Sequence, residues 1–534
     1  MPEERRGKSD RLGAWLSVFV ICLLGASLRI FHILRSDFPL NDGGFFYTMI
    51  QDLVSNHFLL PKYTSYNLLN IPFAYPPLPF YLGGLLQEGF DIDLLAILRW
   101  APVIFSILSI PTFFLLSREA LESTPQALHA TLVFSILTPV FEWLIMGAGL
   151  TRAPGFLFCI LALWQAWRAL RTHQRQAVFL TAVFVALCGY CHLEALIIAA
   201  GFILTATWFK ARNHWGMLFL AKVAILSLAL LTPYIITVAR QHGLTVFFSA
   251  LQSGDFDLLY SIGKLLFGNL TVEFMFTPFL VFALMGVGRR LHQQDYLFPA
   301  LMVVAALLTP RSLERSVAIP LSWLAAIAID EIVLPGLARI ATHGTDAGSG
   351  LAKKLFPSFL GGVLIIYFAL RSAFLSLLYL MGVAPTLRAL PPADRTAMEW
   401  VAANTSAEAV FIGLTPPGVW LTDYRAEWFP TLAKRINLNT VQGSEWLPGG
   451  FFQEQVDFYE RITECVFRDA SCVEQVLQEE GREIDYIYLS GQIKEKDTGF
   501  TFDLPILESL LHDSHYRLDY QHEDVYIFER NRST

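Results

Sequence analysis

Asp42 closes the polar step Ser36-Asp37-Phe38-Pro39-Leu40-Asn41-Asp42, which follows an apolar run over residues 12–34, and Gly43-Gly44-Phe45-Phe46-Tyr47 comes next. A carboxylate held at a water–bilayer boundary can take the proton of an attacking hydroxyl. The same side chain also stands where it would cap the helix that begins beside it. Glu142, in Phe141-Glu142-Trp143 at the end of another apolar run, and Glu194 are candidates for a second carboxylate. Three sets of donors suit a phosphate: Thr151-Arg152, His192, and Pro310-Arg311-Ser312-Leu313-Glu314-Arg315. A guanidinium fork near a helix N-terminus binds phosphate through charge-assisted hydrogen bonds, and the helix amides add positive potential. Arg311 and Arg315, one turn apart, share a face; a surface ion pair with Glu314 and lipid headgroup contact is the plainer use of the same residues. Tyr75 opens Ala74-Tyr75-Pro76-Pro77-Leu78-Pro79-Phe80-Tyr81, where prolines stiffen an extended segment that runs into an apolar helix.

These groups need a scaffold, and the composition says which kind. Of 534 residues, 54% are hydrophobic and only 16% charged, against roughly 25% charged in a soluble domain. Apolar runs near 12–34, 94–117, 127–147, 153–170, 177–191, 193–209, 216–238, 272–288, 296–309, 316–334 and 356–381 read as about eleven spans. Between 177 and 209 a hairpin turning at His192 is preferred to one long helix, because the basic clusters at both ends belong on one side. Lys and Arg concentrate in alternate loops, beginning with Arg5, Arg6, Lys8 and Arg11, which puts the N-terminus inside and the C-terminus outside. The polar candidates all then fall on the outer side. In the long outer loop 35–93, Phe45, Phe46, Met49, Ile50, Leu53 and Val54 recur at helical spacing, as in an amphipathic helix lying on the outer leaflet.

Residues 385–534 differ in kind. They carry a net charge of −12, against +5 for residues 1–384, and neither part has the basic surface of a nucleic-acid binder. Apolar strands at 409–414, 486–489 and 525–529 alternate with helical stretches at 395–403, 454–465, 472–480 and 504–512, after a Pro391-Pro392 linker. The fold expected is mainly α: a polytopic membrane helix bundle with a small C-terminal α/β extracytoplasmic domain. Trp420, Trp428 and Trp446 in this tail either fill its core, the preferred reading, or stack on sugar rings. Cys465 and Cys472 either close a small disulfide loop or remain thiols.

The stretch SDFPLNDGGFFYTMIQDL, followed about 20 residues later by FAYPPLPFYLGG, resembles the first outer loop of polytopic GT-C glycosyltransferases, among them protein O-mannosyltransferases, aminoarabinose transferases and rhizobial lipopolysaccharide-core transferases. The resemblance implies that Asp42 is the catalytic aspartate and that the donor is a polyprenyl-phosphate-linked sugar. The acceptor, a glycan, lipid or protein, would meet it at the outer membrane face. Where some of these families have paired acidic residues, Asp42 is followed by Gly43-Gly44, so a second carboxylate must come from elsewhere. A divalent metal stays open as a cofactor. No nucleotide-binding loop, dinucleotide fingerprint or H-E-x-x-H occurs in the sequence. A polytopic transporter, which would call for inverted halves with charges at mid-membrane, and a non-catalytic scaffold with an outer binding domain are the alternatives.

Overall fold

The computed structural model describes residues 2–253, 276–309, 313–336, 387–416, 418–494 and 501–531. Arg311, the run 356–381 and part of the run 272–288 lie outside these, and the boundary expected at 384/385 falls beside them.

The chain opens with α1 (Pro2–Leu34) and α2 (Gly44–Ser55), then a two-stranded ribbon of β1 (Tyr63–Thr64) and β2 (Ile71–Pro72), then α3 (Leu78–Phe90). There follow α4 (Leu94–Leu121), α5 (Thr124–Ile136), α6 (Thr138–Glu142), α7 (Gly149–Thr172), α8 (Arg175–Cys191), α9 (Leu193–Lys210), α10 (His214–His242) and α11 (Thr245–Gln252). Helices Phe276–His292, Leu297–Leu308 and Leu313–Ala328 complete the described part of the bundle. Among the described residues, six helices are long and apolar enough to cross a membrane: Leu12–Leu34 within α1, then α4, α7, α9, α10 and Leu313–Gly336. The helices at 175–191 and 297–308 are apolar but shorter, so among the described residues helix length supports six of the about eleven crossings expected.

The run 127–147 departs most from expectation. It is not one span: α5 stops at Ile136, Leu137 is extended (φ −71°, ψ 99°), and α6 restarts the chain for five residues. Pro139 has no N–H to offer the Ser135 carbonyl, so an unbroken helix would leave that oxygen orphaned. Arg29, fully buried in α1, fills the gap: Nη1 donates to Ser135 O at 2.9 Å and to Gly25 O at 2.8 Å, and Nε donates to Ser106 Oγ at 2.9 Å. Its guanidinium also lies 4.2 Å from the centre of the Phe141 ring, a cation–π contact. The break at His192 is where the hairpin reading put it, with α8 ending at Cys191 and α9 packed back on α8.

Helix α7 is packed between α4 and α8 and anchors one core, with Ile160, Leu163 and Trp167 buried among Phe113, Phe134 and Trp323. A second core joins the first loop to the tail. There Phe45, Phe46, Met49, Ile50 and Leu53 of α2 pack with Phe73, Phe80, Trp428 and Phe429. The amphipathic helix therefore buries its apolar face against α3 and the tail helix Tyr424–Ala433 rather than against lipid.

The tail is an α/β unit, as its strand and helix pattern predicts. Its sheet has the order β4-β3-β5-β9-β8, with β3 (Val410–Leu414), β4 (Ile436–Asn437) and β5 (Tyr486–Ser490) parallel. Strands β8 (Tyr516–His522) and β9 (Val525–Arg530) are antiparallel additions. A third core, including Ile412, Ile487, Phe458, Val473 and Leu507, lies beneath it. Cys465 and Cys472 are joined in a disulfide.

Candidate active site

The site forms where the first loop, the start of α7 and the tail meet. Asp42 Oδ2 lies 2.7 Å from Arg152 Nη2, and Asp42 Oδ1 accepts the Ala148 amide at 3.0 Å. The two side chains are 13% and 18% exposed, so the pair is only partly shielded from water. Arg152 Nη1 donates to Trp143 O at 3.3 Å, and its guanidinium lies 5.4 Å from the Trp143 ring centre. The charge is thus fixed in both direction and plane.

Two glycines let the backbones approach. A side chain at Gly147 would stand 1.9 Å from Asp42 O, and Gly147 N donates to Leu40 O at 2.9 Å. Gly43 has φ +143°, which L side chains rarely adopt. Asp42 does not cap α2. The N-cap position is Gly43, and the acceptor is Glu427 of the tail, which receives Gly43 N at 3.1 Å, Gly44 N at 3.0 Å and Phe45 N at 2.9 Å. The cap arrives from 382 to 384 residues away, which leaves the Asp42 carboxylate turned toward Arg152. Burial, with Asp42 adding like charge, pushes the Glu427 carboxyl up to about 8 against the pull of the three amides.

A second ion pair stands beside the first. Arg315 Nη2 is 2.7 Å from Glu194 Oε2, and His192 Nδ1 is 4.0 Å from the same oxygen. Arg152 is within electrostatic range of Glu194, Tyr75 and Arg315. Tyr75 sits between the pairs, its hydroxyl 3.4 Å from Thr151 Oγ1 and its ring against Phe46, His192 and Trp446 at 4.9, 6.4 and 5.3 Å. Burial raises its phenol above the usual range, while Arg152 pulls the other way.

The sequence candidates Asp42, Arg152, His192, Glu194, Arg315 and Tyr75 therefore converge. Their helices have a common feature: α2, α7, α9 and Leu313–Ala328 all begin here, with Arg152, Glu194 and Arg315 in the first turns. The α2 amides are taken by Glu427, whereas the N-termini of α7, α9 and Leu313–Ala328 bring partial positive charge to the site and make it attractive to an anion. Glu142 is 3% exposed at the end of α6; it is a buried group rather than a solvated helix end, and the next residue, Trp143, supplies the carbonyl that Arg152 grips. Arg311 lies outside the described residues. Among the described residues no group of three His, Cys, Asp or Glu side chains converges as a metal site would require.

Sequence reasoning misses the capping role of Glu427, the close approach at Gly147 and the Ala148 amide, and gives Trp428 as a core or sugar-stacking ring without its bond to Asn41. Trp428 Nε1 donates to Asn41 O at 2.9 Å from a fully buried ring, so its indole fills core space, as preferred from the sequence, and also holds the residue before Asp42. The run Gly147-Ala148-Gly149 was the available signal for close backbone approach.

No protein-family model matches the chain, and no curated protein matches it in sequence. Solved structures do match. The oligosaccharyltransferase AglB of Archaeoglobus fulgidus, solved with an inhibitory peptide and a dolichol-phosphate, is similar with a TM-score of 0.57 at 15% identity, over 90% of this chain and 70% of that one. ArnT of Cupriavidus metallidurans in the apo state is similar with a TM-score of 0.51 at 13% identity, over 97% of this chain and 98% of that one. The arabinofuranosyltransferase AftD from Mycobacteria gives a TM-score of 0.57 at 14% identity, over 98% of this chain and 40% of that longer one. The chain is thus a multi-pass helical membrane protein with the fold of the GT-C glycosyltransferases.

Proposed function

We propose that this protein is an inverting glycosyltransferase that takes a sugar from a polyprenyl-phosphate carrier and passes it to an acceptor at the outer membrane face, where its C-terminal domain lies. The observation that carries this reading is the Asp42–Arg152 pair with Arg315–Glu194 beside it, set at the N-termini of α7, α9 and Leu313–Ala328. The dolichol-phosphate bound to AglB supports a lipid-phosphate donor.

Asp42 orients the acceptor hydroxyl and takes its proton while the hydroxyl oxygen attacks the anomeric carbon. The bond from that carbon to the phosphate oxygen breaks, and its electron pair leaves on the lipid phosphate. Arg152 and Arg315 meet the charge as it grows there, with His192 at the rim and Glu194 holding Arg315 until a phosphate competes for it. Tyr75, half-buried and packed on the buried Trp446, is the aromatic group against which a sugar ring stacks. Glu142, buried at the end of α6, has no step in this scheme.

The test is release of polyprenyl phosphate by the purified full chain supplied with a panel of polyprenyl-phosphate sugars and membrane glycan, lipid and peptide acceptors. Asp42→Asn is expected to lose about 10²–10⁴-fold in rate with unchanged melting. Full activity in that variant refutes the assignment, and transfer to none of the acceptors by the wild type refutes the function.

A further inference from the structure

The tail does more than cover the site. Every residue adjoining Asp42 is held by it: Asn41 N donates to Arg388 O at 2.6 Å, and Asn41 Nδ2 donates to Leu421 O at 3.3 Å. Asn41 O receives Trp428 Nε1 at 2.9 Å. On the other flank, the Gly43, Gly44 and Phe45 amides end on the Glu427 carboxyl. Thr431 Oγ1 donates to Gly44 O at 2.8 Å and lies 3.0 Å from Thr48 Oγ1. Tyr66, from the same first loop, donates its hydroxyl to Glu427 O at 2.6 Å. Asn41 itself sits at φ +51°, a left-handed conformation that needs support from its surroundings.

We infer that Glu427, assisted by Trp428, is a positioning residue for the transfer reaction: the soluble domain grips the backbone on both sides of Asp42 and so sets where its carboxylate points. This rests on the reading of Asp42 as the reacting carboxylate. The Glu427 carboxyl collects three amide donors that the first turn of α2 cannot satisfy internally, and no other side chain among the described residues caps that turn. Without it the Gly43, Gly44 and Phe45 amides lose their acceptor, and the helical side of the bend keeps the Thr431 bond to Gly44 O as its tie to the tail. A shift of about 1 Å at a reacting group costs about 10²-fold in rate.

The experiment uses the full-length chain and compares Glu427→Ala, Glu427→Gln, Trp428→Phe and the control Asp37→Asn. The control breaks an exposed ion pair to Arg395 at the same interface. Glu427→Ala is expected to lower kcat about 100-fold with donor KM within threefold, and to speed amide exchange at Gly43, Gly44 and Phe45 while the tail's own melting is kept. Glu427→Gln, which retains an acceptor oxygen, is expected to recover at least a tenth of the wild-type kcat, and Asp37→Asn all of it. Should Glu427→Ala not fold, Trp428→Phe carries the test, with kcat down about tenfold. A folded Glu427→Ala with wild-type kcat, or equal loss in the Ala and Gln variants with the whole tail undocked, overturns the inference. Asp42→Asn separates the two claims: if it stays active the transferase site itself is wrong, and if it is dead while Glu427→Ala and Trp428→Phe are fully active, only the positioning role fails.

Discussion

Replacing Arg152 tests the site most directly. Its guanidinium makes a 2.7 Å bond to Asp42, a 3.3 Å bond to Trp143 O and a face contact on the Trp143 ring. Lysine keeps the charge but has no planar fork, so it reaches either the carboxylate or the carbonyl and loses the stacking. Arg152→Met leaves the Asp42 side chain with the Ala148 amide as its hydrogen-bond partner among the described residues. A hydrogen bond between charged groups contributes about 1.5–3 kcal/mol; with the pair 13% and 18% exposed, solvent screening puts the expected loss of stability at the low end, about 1.5 kcal/mol. The catalytic loss is larger, because a fixed donor facing developing charge is worth about 10²–10³-fold in kcat. Arg152→Met is therefore expected to fall about 10³-fold and Arg152→Lys about 10–10²-fold, measured as polyprenyl phosphate released by protein in lipid nanodiscs, with melting recorded on the same samples. If Arg152→Met transfers sugar within threefold of wild type, the pairing with Asp42 has no part in the chemistry.

Three further outcomes follow from the same geometry. The Glu427 carboxyl is raised from 4.5 to about 8 by burial and by Asp42, so its contribution to stability is fully present below about pH 4.5 and is lost as pH rises toward 8. Melting temperature should fall across that window in the wild type and less so in Glu427→Gln; equal slopes would refute the linkage. Reducing the Cys465–Cys472 disulfide, or replacing both cysteines with serine, frees a loop of about eight residues and should cost the tail about 2.5 kcal/mol, read by denaturant unfolding. Arg29→Met orphans the Ser135 carbonyl inside the bundle and should destabilise by about 2 kcal/mol; melting equal to wild type would show that another donor takes over.

Much of the site was legible because polar side chains at the ends of apolar runs are costly and therefore few. Asp42, Arg152, His192, Glu194 and Arg315 each sit at such an end, and the helix starts bring them together. Glu427 could not be read in this way. Its partners are backbone amides far away in the sequence, and a bond to a main-chain N–H leaves no mark on the partner's residue type. The break at Leu137 was signalled by Pro139 but masked by unbroken hydropathy, which does not separate one long helix from two short ones. In the tail, β3, β5 and β9 announced themselves as buried apolar strands. β8, an exposed edge strand with Arg517, Asp519 and Gln521, and the two-residue β4 carry too little pattern to see.

The span between Gly43 and Glu427 also sets a clock. The carboxyl that steadies this bend is made 384 positions after Gly43, roughly 20–80 s later at about 5–20 residues per second. A nascent or prematurely released chain without Glu427 would hold the described helices that precede it and yet have an unbraced bend at Asn41. Catalytic competence would then be withheld until the tail has been made, folded and seated, so that unfinished protein in the membrane does not consume carrier-linked sugar.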